Sequence, residues 1–432
     1  MIRTLTLRWL TPFYAIIFTL IVSLIINIRG CLRDDNCEFC QSCDISAVKK
    51  AISSFDKDSA FVICVVGEGV KGVNDPKESR TYSSDFSQGL DVYEAINYVM
   101  NNRRDTIVNG RKLKIVYFDD AGNVDCAKEI SRLLSNSSKV VAIIGHSTTE
   151  TTIVGLENYS RRKIPVLLPS ATNPEIFKPY LSDKSNNFFR LPASDKIQVK
   201  AIAQFYRKKI SKSHRNSIYL ITDGTKGVKT YSEFLQNELK RTLGDTIKFI
   251  EAITYKPMSY SHIYQSVVFN KPGTLIFCGY GSLAREFLNG LDSEYKRNAQ
   301  IKKPVIILSD GCNIKGIKDV VNDWDSIFIS FPCKKPTDYP CLNGMIDSSH
   351  FSYEVYGYDA IKIIMEAANS IPKEKISRRT LGEKIANEFK SFEICSEIKI
   401  LSSNHDEPQE KSCSYYILNP KADFISIDSL QL

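Results

Sequence analysis

Hydroxyl side chains follow two apolar runs of the chain, at the points where predicted strands end. The run VVAIIG at 140–145 is followed closely by Thr149, and the run IPVLLP at 164–169 is followed by Ser170 and Thr172. The carboxyl ends of neighbouring parallel strands lie side by side, and the crevice beyond them is where open α/β sheets hold small ligands. A helix predicted to begin near Thr149 adds the positive end of its dipole. The stretch therefore predicts a site for an anion, and a carboxylate fits it.

The elements that position these hydroxyls follow an alternating pattern of strands and helices. Short apolar runs indicate buried strands, and apolar residues at three- and four-residue spacing indicate amphipathic helices. The first series predicts strands at 61–66, 113–118 and 140–145 with helices at 86–100 and 126–134. The second predicts a helix at 195–208, strands at 217–222, 248–254, 274–280 and 304–309, and helices between them: one that runs through Leu243, one at 260–268 and one at 283–291. Late helices are predicted at 351–368 and 381–389, and late strands at 415–418 and 424–427.

Two such series predict the fold class α/β, with two doubly wound parallel-sheet lobes joined by a hinge of several crossings. We expect lobe 1 to comprise 59–190 plus 335–410, and lobe 2 to comprise 191–334 plus 411–432. A hinge between two sheets makes a cleft that can close.

The N-terminal residues differ from the rest of the chain. Arg3 and Arg8 precede an uncharged run from Trp9 to Ile28, which has about the 20 residues that a membrane span needs. Basic residues before such a run favour export of the polypeptide on its C-terminal side. We therefore expect a signal or anchor segment at 1–30, either cleaved or retained, and a protein that lies outside the cytoplasmic membrane.

The formal net charge of +8 is spread over the sequence and forms no continuous basic stripe with interleaved aromatic residues. This distribution argues against nucleic acid as a partner.

Twelve cysteines fit an oxidising compartment. A stalk at 31–58 carries Cys37, Cys40 and Cys43, for which local disulfides are better supported than a metal site, because no Cys or His pair follows at metal-site spacing. Nearer the C-terminus, the pairs Cys333–Cys341 and Cys395–Cys413 flank short excursions of the chain and are candidate disulfides.

Several landmarks, in their order and spacing, make residues 59–430 resemble a family of known fold. The family is that of the type I periplasmic binding proteins, in particular the leucine/isoleucine/valine-binding group that serves ABC importers. The landmarks are Asp119-Asp120-Ala121, Gly145-His146, Ala171-Thr172-Asn173-Pro174-Glu175, Phe189-Arg190, Ser194-Asp195 and Tyr358-Asp359-Ala360.

The resemblance implies roles for particular residues. Thr149 falls where a hydroxyl binds the ligand α-carboxylate, and the segment Ser170-Ala171-Thr172 falls where backbone and hydroxyl groups share that task. In the other lobe, Tyr280 matches an aromatic residue beside the ligand and Asp310 an acid that pairs with the α-ammonium. Tyr353 falls at a position that lines the side-chain pocket. A zwitterion bound in this way would bridge the lobes.

Each of these residues also has a purely structural interpretation. Thr149 and Thr172 suit helix caps, a role compatible with ligand binding. Asp310 precedes Gly311, and Asp-Gly is usually a turn. Tyr353 sits at helical spacing, where an aromatic side chain is usually core. The resemblance favours ligand binding for Asp310.

The chain also departs from the family. The loop after the first strand is rich in charge, with Tyr82 its nearest aromatic residue, and Gly227 stands where some relatives place a Tyr. A polar or larger amino acid is therefore as plausible a ligand as leucine.

No motif of an enzyme stands out. The chain has no P-loop, HExxH or GxSxG motif, and its five histidines are scattered. His146, beside the predicted cleft, is expected to be satisfied by neighbouring backbone groups. We expect no cofactor and no catalysis.

The predicted function is capture of an amino acid or similar small zwitterion and delivery to an ABC transporter permease. The alternative is a membrane-tethered receptor ectodomain, or an amide- or urea-binding protein, that acts through a separate membrane partner.

Overall fold

Two sheets of parallel strands with antiparallel edges carry the structure. The computed structural model describes residues 44–57, 59–69, 88–101, 105–180, 182–183, 187–210, 212–215, 217–222, 226–244, 248–254, 260–313, 317, 324, 326–332, 339–343, 353–388, 394–396, 401–402 and 416–418. The predicted apolar segment at 9–28, the CxxCxxC segment, residues 70–82 of the charged loop, and the strand at 424–427 lie outside these ranges. The described part belongs to one compact unit, Asp44–Leu432.

Lobe 1 is built on a sheet with the order β12-β6-β5-β4-β1-β3-β2. Four of its neighbouring strand pairs, β3–β1, β1–β4, β4–β5 and β5–β6, are parallel. Its strands are β1 Phe61–Val66, β2 Asp105–Val108, β3 Arg111–Phe118, β4 Val140–Gly145, β5 Val166–Leu168, β6 Phe188–Arg190 and β12 Leu401–Ser402. Its helices are α1 Ile45–Asp56, α2 Gln88–Val99, α3 Val124–Asn136, α4 Thr149–Arg161, α9 Glu354–Asn369 and α10 Arg378–Glu388.

Lobe 2 is built on a sheet with the order β13-β11-β10-β9-β7-β8, parallel except for β13. Its strands are β7 Ser217–Thr222, β8 Lys248–Thr254, β9 Thr274–Cys278, β10 Val305–Leu308, β11 Ile327–Phe331 and β13 Tyr416–Leu418. Its helices are α5 Asp195–Lys208, α6 Lys226–Leu243, α7 Tyr260–Asn270 and α8 Gly281–Arg297. Among the described strands the chain passes between the sheets after β6, after β11 and after β12, which confirms the two-lobe α/β fold with several crossings.

Strands β1, β4, β7 and β8 and helix α5 have the bounds that the sequence predicts, and helix α4 begins at the predicted residue, Thr149. Every residue of β1 except the partly exposed Phe61 is buried, as is all of β4, which explains why these strands are uninterrupted apolar runs. Four short strands were not predicted: β2, β6, β11 and β12.

The short strand β2 had a signal in the sequence. It pairs antiparallel with β3 across Asn109-Gly110, whose φ angles are 49° and 71°. Asn-Gly between two strands is the preferred two-residue hairpin turn because both of its residues take positive φ.

The predicted cysteine pairs near the C-terminus are wrong, because Cys341 forms a disulfide with Cys395. Asp359 on α9 accepts hydrogen bonds from the backbone N–H of Cys395, at 2.6 Å, and of Ser396, at 3.0 Å. These bonds fasten the segment of Cys395 to lobe 1, so that its partner is set by tertiary contact and not by distance along the chain. Cys333 and Cys413 lie outside the described residues. Cys126 on α3 is disulfide-bonded as well.

Candidate functional site

The carboxyl ends of strands from both sheets line one cleft. Its space is about 470 Å³, part of it open to solvent. Lobe 1 contributes the segments that follow β4 and β5, and lobe 2 contributes those that follow β9 and β10. The lining residues are Gln88, Ser147, Thr148, Thr149, Ser170, Ala171, Thr172, Asp195, Tyr231, Gly279, Tyr280, Ser309, Asp310 and Gly311.

Six of the seven predicted site residues lie in this cleft: Thr149, Ser170, Ala171, Thr172, Tyr280 and Asp310. Tyr353 is not among the lining residues. It is fully buried, and its hydroxyl donates to Oδ2 of Asp310 at 2.6 Å. Tyr353 therefore contacts Asp310 from behind the cleft and does not line the cleft itself.

Glycines allow close approach on both sides of the cleft. Gly145 has φ 124°, and a Cβ there would lie 1.9 Å from the carbonyl oxygen of Val66. A Cβ on Gly311 would lie 2.8 Å from the carbonyl oxygen of Gly279. Asp310 begins a 3₁₀ turn, Asp310–Cys312. Because Gly311 has no Cβ, this turn can pack closely against Gly279, which follows β9.

Helix α4 points its N-terminus at the cleft. Thr148, not Thr149, is the N-cap: its hydroxyl accepts from the N–H of Thr151 and completes a capping box. The predicted capping role of Thr149 is therefore wrong. The hydroxyl of Thr149 has no hydrogen bond among the described residues, which leaves it available to an anion at the positive end of the helix.

The hydroxyls of Ser170 and Thr172 are already engaged. Ser170 donates to the carbonyl oxygen of Ser147 at 2.8 Å, and Thr172 is hydrogen-bonded to the Asp195 carboxylate. A hydroxyl has one hydrogen to donate, so the Ser170 hydroxyl cannot also donate to a ligand while it donates to Ser147. The predicted cap at Thr172 is also wrong, because the side chain of Asn173 accepts from the N–H of Glu175 at the next helical turn.

Asp195 is a cleft residue that stood out in the sequence only as a family landmark. It is 2% exposed, and within the described part of the chain its Oδ1 has no hydrogen-bond partner. Burial, and then the negative charge of Asp310, raise the pKa of Asp195 to about 7. An acid in the first turn of a helix is ordinary in a sequence, and only its position in the cleft marks Asp195 as a candidate functional group.

Asp310 is the second acid of the cleft. Its Oδ1 accepts from Gln198 at 3.1 Å and its Oδ2 from Tyr353. Burial raises the pKa of Asp310, and these two hydrogen bonds oppose the rise. Among the described residues that line the cleft there are two acids and no Lys or Arg, so this region attracts a cationic group.

A second buried cluster lies below the cleft in lobe 1. His146 Nδ1 lies 2.6 Å from Asp120 Oδ2, and Nε2 lies 3.1 Å from the hydroxyl of Tyr159. His146 is therefore satisfied by side chains and not, as predicted, by backbone groups. Within the described residues no group of His, Cys, Asp and Glu side chains is arranged to hold a metal ion.

Comparisons with known proteins agree with this architecture. Residues 92–294 match the model of a family described as periplasmic binding protein. An amino acid binding protein of Pseudomonas aeruginosa is 32% identical over 91 residues, which are 21% of this chain and 23% of that protein. The matched segment thus spans less than a quarter of this curated relative.

Two solved structures share the fold over most of the chain. A leucine-binding protein LivK of Thermotoga maritima has a TM-score of 0.64 at 16% identity, covering 86% of this chain and 97% of that one. The branched-chain amino acid transporter substrate-binding protein LivJ of Streptococcus pneumoniae, in complex with isoleucine, has a TM-score of 0.62 at 14% identity, covering 86% and 100%.

The two sheets, the repeated crossings and the cleft at their carboxyl ends form the same fold as these two solved structures. The likeness to the two solved structures shows the fold, and the family match covers residues 92–294. Among the residues that the structure describes, no helix combines the length and apolar character needed to cross a membrane.

Proposed function

We propose that this protein captures an amino acid or similar small zwitterion in the cleft between its lobes. The observation that carries the proposal is the placement of opposite chemistries on one cleft. The N-terminus of α4, with the available hydroxyl of Thr149, offers donors to a carboxylate. Asp310 and Asp195 offer acceptors to an ammonium group.

The unpartnered oxygen of Asp195 supports an ammonium ligand in particular. A buried carboxylate oxygen without a donor is costly, and a ligand N–H that fills it recovers that cost. Asp310 already has one donor on each oxygen and retains further lone pairs. An ammonium group carries enough hydrogens to satisfy both acids.

The binding function predicts a requirement for both charges of the ligand. We would titrate the purified full chain calorimetrically with a panel of amino acids, together with simple amides and urea. For each amino acid that binds, the analogue without the ammonium group and the ester without a free carboxylate are the matched probes. Both analogues should bind far more weakly.

Absence of heat and of any thermal shift with the whole panel would contradict a solute-binding role. Binding of amides or urea without amino acids would favour the amide-binding alternative.

The cellular role proposed here is delivery of the bound ligand to an ABC-type importer, with the protein tethered to the membrane by its apolar segment at 9–28. The names of the related structures, a branched-chain amino acid transporter component among them, support the transport role. The tether is tested by alkaline extraction of membranes, from which the full chain should remain in the pellet.

Adjacent genes for a permease and an ATPase would support the importer over a sensory receptor. The proposed role is capture without covalent chemistry, so incubation should return every panel compound chemically unchanged.

A further inference from the structure

The acid of lobe 2 is held by side chains that the binding function does not itself require. Asp310 is 8% exposed, and each of its carboxylate oxygens accepts from a different element. Gln198 of α5 donates to Oδ1 at 3.1 Å, and Tyr353 donates to Oδ2 at 2.6 Å. Two donors on opposite oxygens fix the plane of the carboxylate.

Gln198 is itself fixed on three sides. The residue is fully buried. Its amide also donates to the carbonyl oxygen of Ser330 at 3.4 Å, and its Oε1 accepts from the hydroxyl of Tyr231 on α6. Because the amide oxygen is taken by a hydroxyl donor, the amide nitrogen is the group that faces Asp310.

Tyr353 reaches Asp310 from the other lobe. It immediately precedes α9, which packs on α2 in lobe 1. Its ring packs edge-on against Phe331 at a centroid distance of 5.1 Å. The Tyr353–Asp310 hydrogen bond therefore joins the two lobes, and the carboxylate is oriented by both of them.

We propose that Gln198 and Tyr353 are positioning residues that hold the Asp310 carboxylate ionised and oriented towards the ammonium group of a ligand. We call the two hydrogen bonds from Gln198 and Tyr353 to Asp310 the carboxylate clamp. Its purpose rests on the proposed binding function, but its effect on Asp310 can be tested without a ligand.

The surroundings of Asp310 oppose its ionisation, so the hydrogen bonds from Gln198 and Tyr353 matter for its charge. Burial disfavours the ionised form of Asp310, and hydrogen bonds to the carboxylate favour it. The group that opposes ionisation is Asp195 at the start of α5, and Arg190 at the end of β6 acts on Asp195. Gln198, Tyr353 and the backbone N–H groups of Asp310 and Gly311 favour the ionised form of Asp310, and Tyr231 lies behind the Gln198 amide. Loss of either donor should move the pair's proton towards Asp310.

The direct test is an infrared pH titration of the full chain without ligand. The band of the protonated Asp310 carboxyl group is assigned by its loss in Asp310→Asn. In Tyr353→Phe, which conserves shape, and in Gln198→Leu, the midpoint should rise by about one pH unit, since each removes a hydrogen bond to the ionised form. Gln204→Leu changes the same residue type on the same helix, away from the cleft, and should leave the midpoint unchanged.

An Asp310 midpoint that is unchanged in Tyr353→Phe, in a protein that melts cooperatively, would overturn the proposal. That outcome does not depend on Gln198→Leu folding, and it does not depend on any ligand.

The companion measurement uses L-isoleucine as the probe. Tyr353→Phe should weaken its binding about tenfold at a pH just below the Asp310 midpoint that the infrared titration finds for this variant, and much less at a pH well above that midpoint, where Asp310 is ionised again. An equal loss at both pH values would indicate a structural role and contradict positioning. If the wild-type protein binds no amino acid, the proposed function fails while the infrared titration still decides the clamp.

Discussion

Two buried acid clusters of this protein differ in whether their hydrogen bonding is complete. In lobe 1, Asp120 accepts from the N–H of Gly122 at 3.0 Å and pairs with His146, which in turn contacts Tyr159. In the cleft, one carboxylate oxygen of Asp195 has no hydrogen-bond partner among the residues that the structure describes. We call Asp120, His146 and Tyr159 the closed cluster, because their hydrogen bonds are complete within the protein. We call Asp195 and Asp310 the open cluster, because only a ligand or a proton completes the hydrogen bonding of Asp195. Burial alone therefore does not mark a functional acid; incomplete satisfaction beside a cleft does.

The closed cluster should respond most strongly in stability. Asp120→Ala removes the partner of a buried histidine and the acceptor for Gly122, and we expect a loss of about 3 to 5 kcal/mol in the free energy of unfolding. Chemical denaturation measures it. Asp125→Ala, an exposed acid at the start of α3, is the control and should cost less than about 1 kcal/mol. A small loss in Asp120→Ala would show that the cluster is not a structural unit.

The open cluster should respond in affinity instead. Asp310→Ala removes the carboxylate that we assign to the ammonium group, and we expect amino-acid binding to weaken by about 2 to 5 kcal/mol, measured by calorimetry. Asp292→Ala, in the same lobe but away from the cleft, is the control. Unchanged affinity in Asp310→Ala would remove this acid from the binding site.

Asp195 should couple stability to pH. Its pKa in the folded protein is raised from 3.8 to about 7, so the folded state holds a proton that the unfolded chain has released. Stability should therefore fall as the pH rises from about 4 to about 7. Asp359, whose pKa burial raises to about 6, acts in the same direction.

Asp195→Asn should remove the part of this slope that belongs to Asp195. We expect the ligand-free variant to be more stable than the wild type at about pH 8, by about 2 kcal/mol, because the amide is neutral but still leaves a buried oxygen without a donor. Thermal denaturation across pH measures the difference. A variant with the wild-type slope would place the raised pKa on another group.

The smallest expected effect concerns the anion side of the cleft. Thr149→Ala removes one neutral hydroxyl at the start of α4 and should weaken binding by about 1 kcal/mol, measured by calorimetry. Thr149→Ser keeps the hydroxyl and should restore affinity. Equal weakening in both variants would point to packing of the methyl group rather than to a hydrogen bond.

The local pattern of apolar residues in the sequence predicted several of the strands and helices beside the cleft. The apolar run VVAIIG predicted the bounds of β4, the apolar residues between Ser217 and Thr222 predicted those of β7, and helical periodicity predicted α5. The short strands β6 and β11 were missed because three to five residues carry too little periodicity to distinguish a strand from a loop. Both became strands because parallel neighbours were already present to pair with them.

The stretch of hydroxyls at 147–172 and the acid at Asp310 were visible in the sequence, through strand-end positions and family resemblance, and the structure gathers them in one cleft. Whether they bind a ligand stays a proposal.

Only the tertiary structure separated Asp195 from the other acids, linked Cys341 to Cys395, and brought Tyr353 of one lobe to Asp310 of the other. The physical reason is that periodicity is a property of neighbouring residues, whereas burial, an unmet hydrogen bond and a contact between lobes depend on segments far apart in the chain.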